Sequence, residues 1–185
     1  MGQILGFVGW PCAGKDEAAE YLVRAHGAYR FGHSDFIREH AAELGIEIRE
    51  TYQLSALFET RAAAEGYGWI ARIVSEYVLE IWMREPRALV VVSGVRNLAE
   101  VQVYRDLPGF QLVRLEADFE VRYPRWRGRQ RPGEQGLTRD DLRALEALPG
   151  NANIPDLMAL PGSTIVNNGN DKPTFYRELD ALVRS

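Results

Sequence analysis

Apolar positions follow one another along this chain in two rhythms. Short runs without polar alternation, residues 4–8 (Ile-Leu-Gly-Phe-Val) and 88–92 (Ala-Leu-Val-Val-Val), read as strands buried on both faces. Residues 110–115 and 163–166 predict two more strands, and residues 28–33 a short one. Between the runs the spacing becomes helical. Ala18, Ala19, Leu22 and Val23 share a face that Gly27 terminates, and Ser34 or Asp35 is placed to cap a helix reaching Leu44 and Gly45. Residues 50–85 carry Leu54, Leu57, Phe58, Ile70, Ile73, Val74, Tyr77, Val78 and Ile81 at helical spacing, divided into two helices at residues 65–68. A further helix holds Val101, Val103 and Tyr104. Thr138 caps another through Leu148, residues 149–161 read as a short helix between loops, and Asp171 caps a last helix with Pro173 in its first turn.

The first strand runs straight into Gly9-Trp10-Pro11-Cys12-Ala13-Gly14-Lys15, which is G-x-x-x-x-G-K, the phosphate-binding Walker A or P-loop pattern. A chance glycine loop would match the pattern too, but strand, glycine loop and helix in that order are the context it requires. Backbone N–H groups from Gly9 through Gly14 can curl around a phosphate, the helix N-terminus adds partial positive charge, and Lys15 reaches the outer phosphates. Where the pattern ordinarily ends in a Mg²⁺-binding hydroxyl stands Asp16, followed by Glu17. A carboxylate is also a hard-cation ligand; alternatively, the two acids only favour the positive helix end.

Other candidates gather at predicted strand ends, where open α/β sheets bind ligands. Asp35 and Arg38, three apart on one helix face, can act on the same molecule, though a simple capping role is the plainer account. Arg61 and Arg72 flank the glycine break and are candidates for a cleft or for solvated surface. The run 88–92 ends in Ser93-Gly94, where P-loop proteins often carry an aspartate. With Asp16 at the loop, this suggests a metal site exchanged in order, carboxylate at the loop and the Ser93 hydroxyl at the strand. Arg96 leaves that strand end suited to a bidentate grip on phosphate, with Glu100 either orienting it or serving as a first-turn acid. Arg122, Arg125, Arg127, Arg129 and Arg131 crowd ten residues around Trp126. Such a run is commonly a solvated face or, with an interleaved aromatic, a nucleic-acid contact. Beside a P-loop it reads as a mobile lid whose arginines, Arg125 and Arg129 among them, close on transferring phosphates. The turn at residues 167–170, with Asn168 and Gly169, is either an ordinary turn or a place where backbone groups receive a base.

Composition narrows the class. The 185 residues suffice for one α/β domain with perhaps a small insert, and 46 % apolar content excludes disorder. No run reaches membrane-span length and no leader is evident, while the single Cys12 can form no internal disulfide, so a cytoplasmic protein is expected. A formal charge of −4 argues against general nucleic-acid binding.

Taken together, ILGFVGWPCAGKD, SDFIRE, VVVSGVRNLAEVQVYR, the arginine stretch and TIVNNG resemble, in order, the P-loop nucleoside monophosphate kinases and dephospho-coenzyme A kinases. Archaeal adenylate-kinase-related proteins are among the relatives this likeness points to, and GKD with VVS-x-VR-x-x-x-E also resembles phage deoxynucleoside monophosphate kinases and phosphomevalonate kinases. The resemblance implies one three-layer α/β/α sandwich on a parallel sheet, with an acceptor-binding helical insert near 35–85 and an arginine-rich lid near 120–137. It implies transfer of the γ-phosphoryl group of ATP, with Mg²⁺, to a phosphate or hydroxyl, and a nucleoside or deoxynucleoside monophosphate is the expected acceptor; a monomer or homodimer is expected. Arg38 and Arg96 would hold an acceptor phosphate; for a hydroxyl acceptor, Asp35 is the expected base. A dephospho-coenzyme A kinase and a nucleotide-binding module without turnover stand as alternatives, with a nucleic-acid-binding protein behind them.

Overall fold

A computed structural model describes residues 2–129, 138–160, 164–167 and 171–183. Its sheet holds five parallel strands among the described residues: β1 (Gln3–Val8), β2 (Tyr29–Gly32), β3 (Leu89–Ser93), β4 (Phe110–Glu116) and β5 (Thr164–Asn167). The order across the sheet is β2-β3-β1-β4-β5, so the strand that feeds the glycine loop is central. The helices are α1 (Lys15–His26), α2 (His33–Glu43), α3 (Thr51–Glu65), α4 (Trp69–Arg84), α5 (Leu98–Arg105), α6 (Phe119–Gly128), α7 (Arg139–Glu146), α8 (Ile154–Met158) and α9 (Lys172–Asp180).

Side chains alternate across a strand, and here both faces are covered. Ile4 and Val8 of β1, with Val90 and Val92 of β3, pack under Trp69, Ile70, Val74 and Val78 of α4 and Val101 and Tyr104 of α5. Leu5, Phe7, Leu89 and Val91 face the other way, onto Ala18, Ala19 and Leu22 of α1 and Phe175 and Leu179 of α9. The result is a three-layer α/β/α sandwich, and the unbroken apolar runs are its central strands. Each large side chain sealed this way contributes about 1.5–3 kcal/mol over its exposed state.

Local expectations shift in four places. Val23 is 38 % exposed, because at 100° per residue it turns off the face of Ala18, Ala19 and Leu22. Strand β2 passes into α2 without a loop, so extended Gly32 occupies the cap position and neither Ser34 nor Asp35 does. Residues 149–161 form a 3-10 turn, Pro149–Asn151, and then α8. The arginine stretch is helical over Phe119–Gly128, and its Trp126 and Arg122 are buried, which anchors this part of the expected lid. Thr138 caps α7 as its sequence implies, with its hydroxyl accepting from the Asp141 N–H at 3.3 Å.

Candidate functional site

At the carboxyl end of β1 the chain turns into the glycine loop under tight steric limits. A Cβ on Gly9 would lie 2.4 Å from the Leu115 carbonyl oxygen, so only glycine lets the loop leave so close to β4. Gly14 adopts φ 103° where α1 begins, and Cys12 holds φ 62°, a left-handed conformation that strains any residue with a side chain. Lys15 folds back onto the loop and donates from Nζ to the carbonyls of Gly9 at 2.6 Å and Trp10 at 2.9 Å. Desolvation lowers its pKa to about 7; Arg96 adds to the effect, Asp16 and Cys12 oppose it, and Arg129 lowers it slightly further.

Above this loop opens a cavity of about 490 Å³, a size suited to a small molecule. Pro11, Cys12, Gly14, Lys15, Asp16 and Glu17 line its floor, whereas Gly9 and Ala13 are buried behind the loop. Pairing of β3 beside β1, with Ser93 level with Phe7, brings Ser93 and Gly94 to the same rim. Arg96 follows them, and Arg125 and Arg129 line the cavity from α6 and its end. This helix is held by Arg122, which donates to the carbonyls of Ala117 at 2.8 Å and Pro11 at 3.3 Å and pairs with Glu146 of α7.

Four sequence candidates stand apart from this cluster. Asp35 and Arg38 are exposed on α2 and do not line the cavity; His33, Ser34 and Ile37 of that helix do. Arg61 is engaged with Glu65 at 2.9 Å and lies 4.2 Å over the Trp69 ring. Arg72 donates to the Glu65 carbonyl at 2.5 Å and faces a shallow second depression beside Gly66 and Gly68. In each case the helix face, invisible to spacing alone, decides. Trp126 is buried, which removes it as a surface stacking platform for nucleic acid. Asn168, Gly169 and residues 130–137 of the expected lid lie outside the described residues.

The sequence reading missed most of the upper wall. Leu54, Ser55 and Phe58 of α3, Ile70 of α4, and Leu145, Leu148, Gly150 and Asn151 from the far side of the chain close the cavity. The Pro-Gly-Asn punctuation at 149–151 was the available signal, but it also marks any turn. His33, too, was passed over. Buried at 4 %, it sets Nδ1 3.2 Å from Oε1 of Glu100, itself 1 % exposed, and Nε2 2.8 Å from the Tyr104 hydroxyl. Glu100 Oε2 accepts the backbone N–H of Arg96 at 2.7 Å and of Asn97 at 3.0 Å. Glu100 is therefore both a helix-capping acid and the group that fixes the Arg96 backbone. Burial pushes the Tyr104 phenol well above its ordinary pKa, so it remains a neutral hydroxyl.

The two donors that the sequence points to for a divalent cation, the Asp16 carboxylate and the Ser93 hydroxyl, both line the cavity. Among the described residues no group of three or more His, Cys, Asp or Glu is placed to hold a metal ion. A sparse oxygen set fits Mg²⁺, which keeps waters and takes phosphate oxygens alongside one or two protein ligands. Asp16 lies 3.6 Å from Arg30, a mostly solvent-facing pair.

Residues 5–146 match the AAA domain family. Among curated proteins, the UPF0200/UPF0201 protein of Archaeoglobus fulgidus is 28 % identical over 169 residues, covering 90 % of this chain. The chain spans about half, 51 %, of that relative's length. The UPF0200 protein of Methanosarcina mazei is 32 % identical over 150 residues, covering 80 % of this chain and 73 % of its own. Among solved structures, shikimate kinase from Bacteroides thetaiotaomicron superposes with a TM-score of 0.61 at 17 % identity, covering 97 % of this chain and 96 % of that one. A gluconokinase from Sinorhizobium meliloti does so at 0.56 and 15 %, covering 98 % and 91 %. At such identities the likeness is one of fold. No helix among the described residues is long and apolar enough to cross a membrane.

Proposed function

This chain belongs to the AAA domain family and to the UPF0200 proteins, and from that footing we propose that it is an ATP-dependent phosphotransferase acting on a nucleoside or deoxynucleoside monophosphate. The observation that carries the reading is convergence: Lys15, Asp16, Arg96, Arg125 and Arg129 line one cavity over the glycine loop at the carboxyl end of a parallel sheet.

Phosphoryl transfer asks little covalent chemistry of a protein; it needs in-line positioning and neutralisation of charge on the transferring oxygens. In this reading the loop N–H groups and the α1 N-terminus bind the donor phosphates, and Lys15 leaves the Gly9 and Trp10 carbonyls for them. Asp16 and Ser93 would hold Mg²⁺, which would supply positive charge to offset that of the donor phosphates. Arg96 grips the acceptor phosphate, and Arg125 and Arg129 spread the charge that develops during transfer. The apolar upper wall excludes water and so limits hydrolysis. A phosphate acceptor is already ionised and needs no general base, which agrees with the position of Asp35 outside the cavity lining.

Hydroxyl phosphorylation, as in a dephospho-coenzyme A kinase, is the second reading, favoured by the shikimate kinases and gluconokinase among the structural neighbours. The deciding experiment is transfer from ATP and Mg²⁺ to a panel of ribo- and deoxynucleoside monophosphates, dephospho-coenzyme A, shikimate and gluconate. Turnover of one monophosphate, lost in Lys15→Ala, is expected. Turnover that survives Lys15→Ala would remove the central claim. Tight ATP binding without transfer to any acceptor would make the chain a binding module instead.

A further inference from the structure

Opposite the phosphate loop the cavity changes character. Leu54, Phe58, Ile70, Leu145 and Leu148 present an apolar wall. A polyhydroxylated acceptor would set its hydroxyls against these side chains without partners, which opposes its binding. A flat, largely apolar body such as a nucleobase gains from the same wall.

Polar groups join this lining where residues 149–151 meet α3. The turn Pro149–Asn151 is pinned there: Gly150 N–H donates to Ser55 Oγ at 3.2 Å, and Asn151 N–H to the Leu148 carbonyl at 2.8 Å. A Cβ on Gly150 would come within 2.5 Å of Ser55 Oγ and 3.7 Å of Arg96 Nη1, so turn, serine and arginine meet closely. Asn151 itself is 3 % exposed and lines the cavity. Its Nδ2 donates to the Leu145 carbonyl at 2.8 Å, which settles which end of the amide is nitrogen. Its Oδ1 is left buried with no hydrogen-bond partner among the described residues. A buried carbonyl oxygen in that state has lost its water without gaining a partner, a penalty that is recovered when a donor arrives. Asn151, Arg96 and the apolar side chains line the same cavity, so a ligand that satisfies all three needs a hydrogen-bond donor, an anion and an apolar face.

Building on the phosphotransferase reading, we infer that Asn151 is a specificity-determining residue of the acceptor site. Its Oδ1 accepts a hydrogen bond from a nucleoside monophosphate whose phosphate lies on Arg96 and whose base rests on the apolar wall. The donor is an N–H of the base or an O–H of the sugar; both present the same chemistry to Oδ1.

The test is calorimetric binding of ribonucleoside monophosphates to the protein saturated with Mg²⁺ and a non-hydrolysable ATP analogue. For the tightest binder, one arm replaces base N–H groups by N-methyl and the other uses the 2′-deoxy and 3′-deoxy sugars. One arm is expected to weaken binding by about 10- to 100-fold, as a single lost hydrogen bond to a buried group does. In Asn151→Leu the same blocked analogue is expected to bind no worse than its parent. The inference is overturned if neither arm weakens binding by more than about 2-fold, if the loss persists in Asn151→Leu, or if no nucleoside monophosphate binds. Thermal melting checks that variant, and if it does not fold, the two analogue arms on the natural chain decide alone. The phosphotransferase reading fails on a different result: Asn151-dependent binding of a monophosphate that ATP never phosphorylates would sink that reading and leave the inference standing.

Discussion

Lys15 should make nucleotide binding depend steeply on pH, in the direction opposite to that expected from the phosphates. In the empty site its pKa is about 7, because burial and the Arg96 charge disfavour the ammonium. Triphosphate oxygens replace the Gly9 and Trp10 carbonyls with full negative charges and favour the ammonium strongly, so binding raises the pKa and draws in a proton. The sign follows: affinity is greatest where Lys15 is already protonated and declines as pH rises above 7. At about pH 8 a group of pKa 7 is roughly 10 % protonated, so binding should take up about 0.9 proton. Between about pH 8 and 9, where the nucleotide's own phosphates have finished titrating, affinity should fall close to tenfold, or about 1.4 kcal/mol. Titration calorimetry with a non-hydrolysable ATP analogue, run in two buffers of different ionisation enthalpy, reads the proton uptake directly. Lys15→Arg is the comparator, since a guanidinium stays charged throughout and its pH profile should be flat in this range. A natural-sequence protein with uptake below about 0.2 proton and a flat affinity between pH 8 and 9 would refute the argument. Lys15 would then carry its ordinary charge in the empty cavity.

Exchanging the unusual loop carboxylate, Asp16→Ser, should weaken Mg²⁺ dependence of turnover about tenfold or more, measured as the Mg²⁺ concentration giving half-maximal rate; an unchanged value would end the idea of the exchanged metal site. Glu100→Gln replaces a buried acceptor of the Arg96 and Asn97 N–H groups by an amide of the same shape. It should cost about 2 kcal/mol in urea unfolding and raise KM for the acceptor while leaving KM for ATP near its original value; equal shifts in both would show that Glu100 does not act through Arg96. Arg122→Ala strips the anchor that joins α6, Pro11 and Glu146. A loss of about 3 kcal/mol is expected in denaturant titration, and a loss under about 1 kcal/mol would mark the pair as no more than a surface contact.

The sequence alone supplied the glycine loop, and the reason is local. Gly9, Gly14 and Lys15 answer to backbone conformation and chain direction, which a dozen residues determine without help from the rest. The same holds for the unbroken runs at 4–8 and 88–92, since burial on both faces leaves no alternation, and for the Thr138 cap. Position in a motif picks out Asp16 and Ser93, and both line the cavity. Helical faces were harder. Arg61, Arg72, Asp35 and Arg38 each had a plausible spacing, yet a rotation of 100° per residue separates a side chain in a cleft from one on the surface. Arg61 took a neighbouring carboxylate and a tryptophan ring instead.

What only the tertiary structure decided is which distant segments share the cavity. Strand order β2-β3-β1-β4-β5 sets Ser93 level with Phe7, although 86 positions separate them in the register pair. The return of residues 145–151 puts Gly150 near Ser55 and Arg96, and the burial of His33 against Glu100 gives the Arg96 turn its support. Spacing within a segment reports the face it must bury, because that depends on the segment's own period. It does not report what that face meets, because packing partners are chosen by the sheet as a whole. The loop was therefore written in a dozen residues, and the apolar wall of the cavity came into being only when α3, α4 and residues 145–151 were brought together.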